Sequence, residues 1–80
     1  MRKPIVMPDL GEVSAVLSLW YARPGDQVYS GDRLVEILLE GATFDLSAPG
    51  TGRFCEKLAW PNDALVPGQI LGFLEEEAME

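Results

Sequence analysis

Leu34-Val35-Glu36-Ile37-Leu38-Leu39-Glu40-Gly41-Ala42-Thr43-Phe44-Asp45-Leu46-Ser47-Ala48-Pro49 holds two β-type runs that meet at Glu40-Gly41. The first, residues 34–39, is rich in Leu, Ile and Val. The second, residues 42–47, alternates small or polar residues with Thr, Phe and Leu. Glycine reaches positive φ without a Cβ penalty, so a Gly between two such runs signals a tight hairpin.

The 80 residues allow one domain with a modest core. A hydrophobic fraction of 48% with eight Gly and six Pro describes a compact chain with many turns and argues against disorder. The net charge of −7 counts against nucleic acid or anionic membrane as partners, because both require clustered Lys and Arg. One cysteine, Cys55, excludes an internal disulfide framework, and the lack of His leaves no Cys/His metal site. No Asp-x-Asp-x-Asp loop with a distal Glu offers a calcium site. The chain has no apolar run of membrane-spanning length and no signal-peptide core after Met1, so a soluble cytoplasmic domain is expected.

Outward from the hairpin, short strands alternate with turns. Ile5-Val6-Met7 predicts a first strand, closed by Pro8. Residues 13–22 predict a long strand with Leu17, Leu19 and Tyr21 on one side and Val16, Ser18 and Trp20 on the other. Arg23-Pro24-Gly25-Asp26 stops it abruptly. Gln27-Val28-Tyr29 is a bridge strand and Ser30-Gly31-Asp32 a turn. Past Pro49, the break Gly50-Thr51-Gly52 leads into Phe54-Cys55-Glu56-Lys57-Leu58, then the turn Trp60-Pro61-Asn62-Asp63. Ile70-Leu71-Gly72-Phe73-Leu74 is the last expected strand. The domain is drawn over residues 1–75, with an acidic end over 76–80 read as a frayed tail or the start of a linker.

The two halves repeat. Pro24-Gly25-Asp26 lies over Pro61-Asn62-Asp63, and Gly31 over Gly68, at an offset of 37 residues; the same offset pairs Leu17 with Phe54 and Tyr21 with Leu58. Two copies are too few for a solenoid. Two similar halves folded against each other fit better, as antiparallel sheets that put alternating apolar positions into a shared core.

The hairpin closely resembles the modification hairpin of lipoyl domains, the carrier modules of 2-oxo acid dehydrogenase complexes. Those domains read roughly Glu-Ile-x-x-Asp-Lys-Ala-x-x-x-Val-x-Ala-Pro there, with lipoate carried on the Lys. Glu36-Ile37, Glu40, Ala42-Thr43 and Ala48-Pro49 keep that register. Pro8-Asp9-Leu10-Gly11-Glu12 matches the family's opening, and Trp20 with Pro24-Gly25-Asp26 matches a frequent Trp and Glu-Gly-Asp turn. The resemblance covers about residues 4–75. It implies an all-β flattened barrel of two antiparallel four-stranded sheets with quasi-two-fold symmetry, and a carrier tip at one end with the tether at the other.

At the position of the lipoyl lysine this chain has Gly41, flanked by Glu40 and Ala42. A glycine offers no amine to acylate, so no cofactor is expected as the chain is sequenced. Lys3 and Lys57, the only lysines, are not at predicted turns. The tip is lipoyl-like rather than biotin-like, since biotinyl domains flank their lysine with Met. The resemblance therefore implies a silenced carrier or non-swinging module, with dehydrogenase-complex subunits as protein partners. The alternative is a stand-alone interaction module docking through Leu38, Leu39 and Phe44. Alternation places Ile37 and Leu39 inside and Leu38 outside, and an exposed Leu38 beside Phe44 would form a small apolar patch. No catalytic constellation is visible, so no enzyme activity is expected. Cys55 has flanking cations at Arg53 and Lys57 but no His partner, which favours a structural role. The carboxylates form no cleft pattern, and Gly50-Thr51-Gly52 lacks the Lys-Ser/Thr of a phosphate loop.

Overall fold

Turn residues every few positions and β-branched runs between them leave little room for helix, and the computed structural model, which describes residues 1–11 and 13–77, has eight strands. They are β1 (Arg2–Val6), β2 (Ala15–Trp20), β3 (Gln27–Val28), β4 (Arg33–Leu39), β5 (Ala42–Ser47), β6 (Gly52–Lys57), β7 (Ala64–Leu65) and β8 (Ile70–Glu76). One four-stranded antiparallel sheet has the order β5-β4-β2-β7 and is called here the hairpin sheet; the other, β1-β8-β6-β3, is the terminal sheet. Glu12 of the opening motif and residues 78–80 of the acidic end lie outside the described residues.

The repeat is built into the backbone. β2, β3 and β4 recur 37 residues later as β6, β7 and β8 with the same bounds. The turns match as well: the Asp26 carboxylate accepts from Arg23 N–H at 2.9 Å and the Asp63 carboxylate from Trp60 N–H at 2.9 Å. Asn62 takes the place of Gly25, and both adopt positive φ; Asn tolerates this region better than other non-glycine residues. Each turn is tied to the long strand of the opposite half. Gly25 N–H donates to the Phe54 carbonyl and Asn62 N–H to the Leu17 carbonyl, both at 2.8 Å. Neither half completes its backbone pairing alone.

The interior lies between the sheets. Ile5, Leu17, Leu34, Ile37, Phe54 and Leu71 are fully buried, each worth about 1.5–3 kcal/mol by removal from water. The ring of Trp20 stacks on Phe54 at 5.0 Å, and its Nε1–H donates to the Ala59 carbonyl at 2.9 Å. Gly72 makes room for this indole: a Cβ there would sit 3.4 Å from the Trp20 ring and would collide with the Glu56 carbonyl.

Three expectations change. The long strand is shorter than residues 13–22, and its faces are not those of simple alternation. Leu17 pairs with Ile37 but Leu19 pairs with Glu36, so one extra residue, Ser18, sits in β2. The bulge turns Trp20 inward and leaves Leu19 and Tyr21 outside, each 40% exposed. Equivalent bulges recur at Cys55 in β6, and at Leu34 in β4 and Leu71 in β8. The first strand begins earlier, at Arg2. The last strand does not end at Leu74 but runs to Glu76. Glu75 pairs with Arg2 and Arg53, Glu76 N–H donates to the Met1 carbonyl at 2.8 Å, and Glu77 N–H to the Thr51 carbonyl at 2.9 Å. A run of acidic side chains stays in the ladder because backbone pairing on both sides holds it, while the carboxylates reach the Met1 amine and Lys3.

Candidate functional site

β4 and β5 are joined by two residues. Leu39 pairs with Ala42, leaving Glu40 and Gly41 as the turn. Gly41 takes φ +78°, while Glu40 stays out of the positive-φ region. Glu40, Gly41 and Ala42 are all exposed. A Cβ on Gly41 would meet nothing within 4 Å, so space is open and the restriction is one of backbone conformation alone. A side chain there costs about 1–2 kcal/mol in the left-handed region.

Lys3 lies in β1 and its Nζ is 3.5 Å from a Glu76 carboxylate oxygen. Lys57 ends β6 with its ammonium 6.0 Å from the centre of the Trp20 ring. Neither lysine belongs to the hairpin.

The three residues expected to form one apolar end are divided between two faces. Phe44 pairs directly with Ile37, and cross-strand partners share a face, so Phe44 points inward and is half-buried against the core. Leu39 is also half-buried on that side. Leu38 pairs with Thr43 and Val16 on the outer face and is 42% exposed. No single Leu38–Phe44 patch forms; the expectation ignored which residue of β5 stands opposite which residue of β4.

Further along the outer face is a polar cluster that sequence pattern did not single out. Ser18 Oγ donates to Glu36 Oε2 at 2.8 Å, and the Tyr21 hydroxyl lies 3.2 Å from Asp45 Oδ1 and 3.4 Å from Glu36 Oε1. The Arg33 guanidinium lies 4.8 Å from the Tyr21 ring centre and 3.6 Å from Asp45 Oδ2. Partial desolvation, then the Asp45 carboxylate, push the Tyr21 hydroxyl above its ordinary pKa, with Glu36 adding and Arg33 opposing. Only the register, set by the Ser18 bulge, brings these five residues together. An open cleft of about 380 Å³ borders Tyr21, Asp26, Asp32 and Arg33. Its two aspartates already cap their own turns, accepting from Arg23 and Tyr29 N–H at 2.9 Å. Among the described residues, no three Asp, Glu or Cys side chains converge as a metal-holding group, and no helix is long and apolar enough to cross a membrane.

The tip and the Met1/Glu76 edge of the terminal sheet lie toward opposite ends of a body 41 × 20 × 17 Å in extent. Leu39, Ala15 and Leu65 line up beside the tip, whereas Glu76, Gly52 and Val28 line up at the Met1/Glu76 edge, with the Trp20–Phe54 stack between.

A solved structure with this arrangement is the lipoyl domain of the 2-oxoglutarate dehydrogenase complex from Azotobacter vinelandii. It superposes with a TM-score of 0.76 at 23% identity, over 94% of this chain and 98% of that one. The chain resembles a lipoyl domain and has its fold. In sequence it is 31% identical, over 98% of its length, to the dihydrolipoyllysine-residue succinyltransferase component of the 2-oxoglutarate dehydrogenase complex of Rickettsia conorii. It is 35% identical over 94% to the component of that name from Buchnera aphidicola. It is 33% identical over 91% to the lipoamide acyltransferase component of the branched-chain alpha-keto acid dehydrogenase complex of Pseudomonas aeruginosa. The chain spans only 18–20% of the length of these relatives. No protein-family model matches it. The structural match is to a lipoyl domain.

Proposed function

We propose that this chain is a lipoyl-type carrier domain without its attachment lysine, acting as a silenced, non-swinging module of a 2-oxo acid dehydrogenase-like assembly. The observation that carries this reading is the tip itself. A two-residue hairpin stands away from the Met1/Glu76 edge of the terminal sheet, with Gly41 where the resemblance calls for lysine. Glu36-Ile37, Glu40, Ala42-Thr43 and Ala48-Pro49 hold the surrounding register. The positive φ of Gly41 supports it further, since the turn has settled into a conformation that a side chain disfavours. Partners in this reading are protein subunits of such an assembly, in the cytoplasm.

The test is the intact mass of Gly41→Lys after incubation with a lipoate ligase and its donor substrates, and separately with a biotin ligase. A lipoyl adduct on the variant and none on the parent is the expected result. Glu40→Lys accompanies it, because residue 40 needs no positive φ and separates a strained backbone from a lost recognition surface. Failure of both folded variants with either ligase overturns the silenced-carrier reading.

A further inference from the structure

We draw no further inference here: the strongest candidate, the surface patch of exposed Val6, Leu58 and Ile70 at the β1/β8 end of the terminal sheet, carries nothing because nothing in the structure shows what covers it.

Discussion

The Tyr21 hydroxyl reaches Asp45 and Glu36 across the outer face of the hairpin sheet, while Arg33 covers its ring. Its pKa in the folded chain lies above the ordinary value of 10.0. Below that pH the phenol is protonated in both states and contributes no pH dependence. Above it, the unfolded chain loses the proton first, the folded chain binds more protons, and stability falls with rising pH. Urea midpoints at about pH 9 and about pH 11 should therefore drop more in wild type than in Tyr21→Phe. An equal drop in both would mean that Tyr21 titrates alike folded and unfolded. Gly41 illustrates the other kind of residue-level control. Its φ of +78° was foreshadowed by a glycine between two β-type runs, yet that signal says nothing of whether a longer side chain would have room, and it would.

Bulges set which side chains each element buries. Plain alternation along β2 put Leu17, Leu19 and Tyr21 on one face; the extra residue at Ser18 keeps Leu17 inside and turns Trp20 in after it. The two readings separate experimentally. Leu19→Lys should change the unfolding free energy by no more than about 0.5 kcal/mol, as for an exposed site. Trp20→Ala should cost about 3–5 kcal/mol through loss of the Phe54 stack and the cavity it leaves. A reversal of that order would restore simple alternation. The recurrence of the bulge at Cys55 shows it to be part of the design of both halves. The same dependence on pairing parted Phe44 from Leu38, since a residue's face in β5 follows its partner in β4.

At the scale of the molecule, the quasi-two-fold arrangement sets the closed hairpin of β4 and β5 against the open pair β8 and β1. Met1 and Glu76 already share a backbone hydrogen bond of 2.8 Å. A circular permutant that joins residue 77 to residue 1 through a short Gly/Ser linker, with new ends between Glu40 and Gly41, should fold to the same sandwich. The expected cost is about 1–2 kcal/mol or less, because exposed turns accept chain breaks well. Its urea midpoint and its NMR amide dispersion check this; a molten spectrum would mean that the Glu40–Gly41 closure organises folding. The Met1–Glu75 ion pair is exposed and the Lys3–Glu76 pair, at 3.5 Å, only partly buried, so both contribute little compared with that backbone pairing.

By itself the sequence determined the all-β class, the two matched halves at an offset of 37 and the hairpin with Gly41 at its tip. Turn chemistry and hydrophobic period are local properties, and each is written in neighbouring residues. Only the tertiary structure decided that Trp20 points in, that Phe44 leaves Leu38, and that the last strand runs to Glu76. Those outcomes rest on register. A single bulged residue reverses the faces beyond it, and the residue lying opposite belongs to a strand distant in the chain.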